Sequence, residues 1–191
     1  MAMSALRAGI PTIVWNRTLE ATRDLADLGA EVAETAADTA RRAAIVVTMV
    51  TNADAVLSIA SEKGMLAALA PGAIWVQMST IGVAGIDRVA ALVEVERPDV
   101  LLLDAPVSGS KEPAEQGNLT IFASGPDEAR ERVNRALRRP RPVHDLGRSR
   151  SKTCTWPSRR PTTTGSSSLP AWPTSGNRLS IAGSAMRTSQ S

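Results

Sequence analysis

The stretch Val100-Leu101-Leu102-Leu103-Asp104-Ala105-Pro106-Val107-Ser108-Gly109-Ser110 decides the predicted fold. Its apolar first part predicts a buried strand, and its second part predicts a polar loop containing Pro and Gly. In an open α/β sheet, ligands bind at the carboxyl ends of the strands. The loop therefore predicts a binding site that offers the Ser108 hydroxyl and the Gly109 N–H. A simpler interpretation stays open, because tight turns also favour Ser and Gly for backbone reasons alone.

Short apolar runs alternate with amphipathic segments along the chain on both sides of this stretch. Strands are predicted at 12–15, 31–33, 44–50, 73–77, 100–103 and 118–124. Helices are predicted at 1–8, 19–28, 35–43, 52–60, 65–69 and 83–93, with a last one starting near 125. This alternation predicts an α/β protein with a doubly wound, mostly parallel sheet covered by helices on both faces.

The net charge of +3 belongs to the end of the chain rather than to the part that is predicted to fold. Seven of the 22 Lys and Arg residues follow Asp145, whereas none of the 19 Asp and Glu residues do. Residues 1–145 therefore carry 15 basic and 19 acidic groups, which argues against a nucleic-acid partner. The single Cys excludes an internal disulfide framework and a Cys-rich metal site, and the single His argues against a His-based metal site or a Ser/His/Asp triad.

No apolar run approaches the ~18–20 residues that a membrane span needs. The first residues also lack the long apolar core of a signal peptide. These observations predict a cytoplasmic protein without a membrane partner.

The composition changes near residue 140, where Ser, Thr, Pro and Arg become dominant. We therefore predict a folded domain at 1–145 and a low-complexity basic tail at 146–191, which buries too little apolar area to be ordered. Three origins for the tail are open: a basic arm, a natural linker, or out-of-frame translation of GC-rich coding sequence. Abundant Arg, Ser and Pro, scattered Trp and the loss of acidic residues favour the third.

Three loops that follow predicted strands carry further candidate residues. Asn16, Arg17 and Thr18 follow the strand at 12–15, where a dinucleotide-binding unit reads the adenosine ribose. No carboxylate is present there to accept a ribose 2′-OH, and Arg17 is available for a 2′-phosphate, which favours NADP(H) over NAD(H). Alternatively, Arg17 is solvated and Thr18 only caps a helix. The segments 48–51 and 78–80 also offer hydroxyl groups, or simply N-cap helices through Thr51, Asn52 and Thr80.

Together these motifs resemble the β-hydroxyacid dehydrogenase family, which includes 3-hydroxyisobutyrate dehydrogenase and the N-terminal domain of 6-phosphogluconate dehydrogenase. The resemblance runs from Met1 to about Gly147. Ser79-Thr80-Ile81 is similar to the family's cofactor-contacting motif. Asp104-Ala105-Pro106-Val107-Ser108-Gly109 is similar to its substrate-binding motif, with Ser110 in place of a final Gly. Imine reductases share this scaffold and remain an alternative.

The resemblance implies roles for the candidate residues. Asn16, Arg17 and Thr18 would contact the adenosine half of NADP(H), and Met49, Val50 and Thr80 the nicotinamide half. Ser108 and Gly109 would hold the carboxylate of a small hydroxy acid substrate. The family reaction is reversible hydride transfer between a 3-hydroxy acid and its semialdehyde or keto form.

The sequence also departs from the family pattern. It contains no Gly-x-Gly-x-x-Gly turn, and the lysine followed four residues later by Asn is absent, because Lys152 is followed by Trp156. Lys152 is therefore a weak catalytic candidate. The helical second domain that forms the family dimer is not recognised either. We expect a family member shortened at its start and frameshifted near residue 140–150, and a non-catalytic remnant is the alternative. Without a first strand, we expect an open slot in the centre of the sheet.

Overall fold

A computed structural model describes residues 1–137 and 179–183 of the chain. Six strands form one parallel sheet: β1 (Thr12–Trp15), β2 (Glu31–Val32), β3 (Ile45–Met49), β4 (Ile74–Gln77), β5 (Leu101–Asp104) and β8 (Leu179–Gly183). Their order across the sheet is β2-β1-β8-β3-β4-β5. A separate antiparallel pair is formed by β6 (Val107–Ser108) and β7 (Thr120–Ile121). The predicted parallel α/β class is confirmed.

Helices cover both faces of the sheet. They are α1 (Ala2–Arg7), α2 (Arg23–Asp27), α3 (Ala36–Arg41), α4 (Ala53–Ala60), α5 (Met65–Ala68), α6 (Gly82–Glu96), α7 (Lys111–Gln116) and α8 (Asp127–Leu137). Side chains alternate between the two faces of a strand. Val46 and Trp75 accordingly pack with α3 to α6 on one face, while Val47 and Val76 pack with α1 and α8 on the other. Apolar runs buried on both faces are typical of such strands.

Close approach of α4 and α6 depends on a glycine near the start of α6. A Cβ built on Gly85 would lie 3.0 Å from the Cβ of Ala53, which is tighter than normal packing. Gly85 is itself buried. The small pair lets α6 lie close to α4 above the sheet, which fixes the loops that begin both helices.

The strand β8 occupies the centre of the sheet, where the sequence predicts an open slot. It pairs in parallel with β1 through Thr12–Trp15 and with β3 through Ile45–Met49. The predicted open slot is therefore wrong: a strand from the end of the chain fills it. Residues 179–183 also fall in the segment 146–191 that was interpreted as disordered, and the other residues of that segment lie outside the described part of the chain.

Three other elements differ from the predictions. The helix predicted at 19–28 is a 3-10 turn at Leu19–Thr22 followed by the short α2, and Leu28 at the end of the predicted range is 46% exposed. The strand predicted at 118–124 is reduced to β7, with one further bridge between Asp104 and Ser124. The helix α7 replaces a stretch that was predicted to be loop.

Candidate functional site

The carboxyl ends of β1, β3, β4 and β5 lie along one edge of the sheet because all four strands are parallel. Thr48 pairs with Gln77, and Gln77 pairs with Asp104, so three strands end in register. The loops that follow them therefore lie side by side. This edge contains every site residue predicted from the sequence except Lys152, which lies outside the described residues.

A buried amide joins the loop after β4 to the loop after β5. Gln77 is fully buried at the end of β4. Its Oε1 accepts a hydrogen bond from the Ser79 N–H at 2.6 Å, and its Nε2 donates to the Ser79 carbonyl at 2.8 Å. The same Nε2 donates to Asp104 Oδ1 at 3.3 Å. The Gln77 side chain thereby holds the loop after β4 against the start of the loop after β5.

The loop after β3 is attached to the same cluster through Ser79. The buried Ser79 hydroxyl accepts a hydrogen bond from the Val50 N–H at 2.8 Å. This bond occupies the Val50 N–H, so a ligand would meet Val50 through its carbonyl or its side chain. We use the name edge cluster for Val50, Gln77, Ser79 and Asp104. A fully satisfied buried polar network of this kind fixes the relative positions of its members.

Burial perturbs the one carboxylate of the edge cluster. Desolvation raises the pKa of Asp104 above its ordinary value, and the hydrogen bond donated by Gln77 opposes that change. Asp104 is half-buried, and it is the first residue of the loop 104–110. It therefore belongs to the support of the loop, whereas Ser108 and Gly109 are exposed beyond it.

The predicted hydroxyl groups of these loops divide into structural and accessible ones. Thr48 is buried and accepts a hydrogen bond from the indole N–H of Trp75 at 2.9 Å, so it supports the core. Thr80 is exposed and makes no side-chain capping bond, because α6 begins after Ile81. The interpretation of Thr80 and Thr51 as helix caps is wrong. Asn52 is a cap, since its Oδ1 accepts from the Ala55 N–H at 2.8 Å.

The loop after β1 presents an exposed cation. The Asn16 Oδ1 accepts a hydrogen bond from the Thr18 N–H at 3.0 Å, which folds the loop around Arg17. Arg17 is exposed, and no ion pair joins it to another residue of the described chain. Thr18 precedes the 3-10 turn but makes no side-chain capping bond. The structure thus leaves Arg17 free to meet an anion from solvent.

The loop after β5 returns to the sheet through a tight turn. Gly109 has φ 138°, and a Cβ there would lie 2.7 Å from Leu119 Cδ2. Glycine adopts this backbone conformation readily, whereas other residues do so at a cost. The turn places Ser108 and Gly109 on the surface, and the Ser4 hydroxyl of α1 donates to the Ala114 carbonyl of α7 at 2.9 Å to hold the loop.

Residues 1–140 match the family model for the NAD-binding domain of 6-phosphogluconate dehydrogenase. The chain belongs to this family. It is a member of the β-hydroxyacid dehydrogenases, as the motifs Ser79-Thr80-Ile81 and Asp104–Gly109 predicted. The Rossmann-type sheet of that family is the sheet described above.

One protein similar to this chain is the uncharacterized oxidoreductase YfjR of Bacillus subtilis, which is 37% identical over 132 residues, or 69% of this chain and 46% of YfjR. The crystal structure of 3-hydroxyisobutyrate dehydrogenase from Salmonella typhimurium is 33% identical, with a TM-score of 0.63, and the match covers 71% of this chain and 47% of that one. Psf3, solved in complex with NADP⁺ and 2-OPP, is 29% identical with a TM-score of 0.65, over 71% of this chain and 48% of Psf3. The chain thus spans about half the length of these relatives.

Two other kinds of site have no candidate among the described residues. No group of three or more His, Cys, Asp or Glu side chains is placed to hold a metal ion within residues 1–137 and 179–183. Over the same residues, no helix has the length and apolar character needed to cross a bilayer.

Proposed function

We propose that this chain carries the NADP(H)-binding and substrate-carboxylate part of a β-hydroxyacid dehydrogenase-type oxidoreductase. Its substrate class would be small 3-hydroxy acids and their semialdehyde or keto forms. The observation that carries the proposal is the edge cluster, which joins the loops after β3, β4 and β5 at the carboxyl edge of a sheet whose family is established. Ligands of open parallel sheets bind at this edge.

The adenosine half of the cofactor would lie on the loop after β1. Arg17 supplies an exposed guanidinium, which can bind a 2′-phosphate through two hydrogen bonds. The Asn16 Oδ1 already accepts a hydrogen bond from the backbone, so the Nδ2 of Asn16 is the group that would face the ribose. Thr18 would add its exposed hydroxyl. An unpaired cation at this position supports the preference for NADP(H) over NAD(H).

The nicotinamide half would lie over the loops after β3 and β4. Met49 is 36% exposed and Thr80 is exposed, whereas their neighbours Thr48 and Ser79 are buried. Met49 would offer an apolar contact for the ring and Thr80 a hydroxyl for its polar substituent, with the Val50 carbonyl alongside. When bound, the cofactor supplies or accepts the hydride. The protein's part is to orient it, which the bonds between Val50, Ser79 and Gln77 accomplish.

The substrate carboxylate would be held by the loop after β5. The Ser108 hydroxyl and the Gly109 N–H are both exposed on this loop. A hydroxyl and a backbone N–H are suitable donors to a carboxylate, and hydrogen bonds to a charged group are stronger than neutral ones. The loop starts at Asp104 in the edge cluster, so the substrate and nicotinamide positions are linked by one network.

Cofactor titration tests the proposal. We expect NADPH to bind the full chain weakly, because no glycine-rich turn is present in the sequence to surround the pyrophosphate. We expect NADPH to bind about tenfold more tightly than NADH, since losing one charged hydrogen bond costs about 1.4 kcal/mol or more. The measurement is the quenching of protein fluorescence and the thermal shift at increasing cofactor concentration.

The variant Arg17→Gln isolates the role of the cation. It should lower the affinity for NADPH about tenfold and leave that for NADH unchanged, and Arg23→Gln, an exposed arginine in α2, should change neither. Equal loss of both cofactors in Arg17→Gln would contradict the 2′-phosphate contact. No response of the wild-type chain to either cofactor at millimolar concentration would contradict dinucleotide binding itself.

A second candidate is that the chain binds its ligands weakly and performs no catalysis. The sequence contains no lysine followed four residues later by Asn, so no general acid is assigned for the carbinol oxygen. We expect no reduction of NADP⁺ when the full chain is incubated with 3-hydroxyisobutyrate or a related hydroxy acid. Measurable turnover that disappears in Lys152→Ala would show that the chain is a complete catalyst and that Lys152 takes part.

A further inference from the structure

The central strand β8 lies between two neighbours in the sheet. It pairs on one side with β1 from Thr12 to Trp15 and on the other with β3 from Ile45 to Met49. No direct pairing between β1 and β3 is present in the described residues. Within the described sheet, main-chain pairing between β2-β1 and β3-β4-β5 thus runs through β8.

The position of β8 in the sequence separates it from the rest of the sheet. In the described part of the chain, the other five strands of the parallel sheet and the eight helices lie within residues 1–137, and β8 begins at Leu179. The slot between β1 and β3 is therefore built by one part of the chain and filled by another. Adjacent strands lie about 4.8 Å apart, so a slot between strands separated by about 9–10 Å accepts one extended segment.

Binding of an extended segment to a sheet is a known mode of peptide recognition. Main-chain hydrogen bonds supply the affinity when a strand adds to an edge. A segment in this slot forms ladders on both sides, and it pairs backbone groups of β1 and β3 that would otherwise be unsatisfied inside a covered sheet. The energetic gain is therefore larger than for addition to an outer edge.

We propose that the slot between β1 and β3 is a strand-acceptor site, and that its ligand is residues 179–183 of the same chain, bound non-covalently. The inference does not depend on the cofactor or the substrate. Leu179–Gly183 is a donor strand that remains bound when its covalent link to the domain is cut. A free peptide of the same sequence can displace it.

A full-length chain with a protease site inserted between Gly165 and Ser166 provides the test. After cleavage, we expect the fragment that starts at Ser166 to co-elute one-to-one with the domain on size exclusion and in native mass spectrometry. Excess synthetic peptide covering Asn177–Met186 should release it. The same peptide with Pro at position 181 should not, because proline lacks the N–H that a central strand needs.

Two variants of the cleavable chain complete the design. Ile181→Pro should lose its C-terminal fragment on cleavage, whereas Ile181→Val should retain it. The competition experiment decides even if Ile181→Pro aggregates, because it uses the unmodified strand. Separation of the unmodified fragments on cleavage would overturn the proposal. If the fragment is retained only in a two-to-two complex, and dilution before cleavage abolishes that retention, then the strand comes from a second copy of the chain. That outcome would overturn the assignment of the ligand to the same chain.

Discussion

At the scale of single residues, the organisation of the site depends most on Gln77, which the sequence interpretation did not select. Gln77 ends an apolar run, and the sequence predicts only that it is the last residue of a strand. The available signal is a large amide at the end of a strand that is buried along its whole length. Its importance comes from Ser79 and Asp104, whose groups meet it only after folding.

Replacing Gln77 separates the effect of lost bonds from that of added charge. Gln77→Leu removes three hydrogen bonds and leaves buried polar groups of Ser79 unsatisfied. Each such group costs about 1–3 kcal/mol, so we expect the free energy of unfolding to fall by about 3 kcal/mol. Urea denaturation at neutral pH measures this. A loss below about 0.5 kcal/mol, the size of a surface effect, would contradict a network role.

Gln77→Glu keeps the shape but brings a second carboxylate next to Asp104. Two neighbouring carboxylates disfavour ionisation of each other, so the pKa of the pair should rise. When the pKa is higher in the folded state than in the unfolded state, ionisation destabilises the fold. This loss of stability is absent at pH values below the pKa of the unfolded state and complete at pH values above the pKa of the folded state. We therefore expect Gln77→Glu to be strongly destabilised at pH 7.5 and to recover toward pH 4.5. Gln77→Leu, with no added charge, is the control and should not recover in this way.

Asp104 and Asp99 should respond to pH in opposite directions. Burial raises the pKa of Asp104, so its protonated form is favoured in the folded state and its ionisation destabilises the fold as pH rises through that pKa. The hydrogen bond from Arg97 lowers the pKa of Asp99, so Asp99 stabilises the fold above its unfolded pKa and loses that effect on acidification.

The variants Asp104→Asn and Asp99→Asn test this contrast. Between pH 7.5 and pH 4, the stability of wild type relative to Asp104→Asn should increase, whereas its stability relative to Asp99→Asn should decrease. Paired urea titrations of the three proteins at both pH values give the two differences. Shifts of the same sign would show that burial does not control the ionisation of Asp104.

At the scale of elements, the sequence predicts those parts whose pattern is local. Apolar runs located β1 to β5, and helical periodicity located α3 to α6 within a few residues. The failures have specific causes. The segment 19–28 divides because the Thr22 hydroxyl donates to the Leu19 carbonyl at 2.6 Å within a 3-10 turn. The residues 118–124 yield a short strand because their partner β6 is only two residues long.

Helix capping provides an element-scale prediction for the loop after β3. Asn52 accepts the Ala55 N–H, whereas the neighbouring Thr51 is exposed and caps nothing. Loss of such a cap costs about 1 kcal/mol. We expect Asn52→Ala to lower the free energy of unfolding by about that amount, and Thr51→Ala to stay within about 0.5 kcal/mol of wild type. Equal effects in thermal or urea unfolding would show that the cap does not control the start of α4.

At the scale of the whole molecule, the central strand was beyond sequence analysis. Residues 179–183 lie in a segment rich in Ser, Thr and Pro, and a five-residue run there gives no periodicity to separate it from its surroundings. Its pairing with β1 and β3 depends on a slot formed by residues far away in the chain. The motifs Ser79-Thr80-Ile81 and Asp104–Gly109, in contrast, revealed the family because their chemistry is contained in contiguous residues.

Amide hydrogen exchange should show whether β8 couples the two parts of the sheet. The buried clusters on both faces are built mainly on β3, β4 and β5, and within the sheet β8 lies between these strands and β1. In Ile181→Pro, we expect the amides of Ile13 and Val14 to exchange at least about tenfold faster, equivalent to about 1.4 kcal/mol. Those of Val76 and Leu103 should change little, because β4 and β5 keep their pairing.

Ile181→Val is the matched control and should exchange like wild type. Uniform acceleration across β1 to β5 would mean that the parallel sheet opens as one cooperative unit, and unchanged rates in β1 would mean that β8 does not hold it.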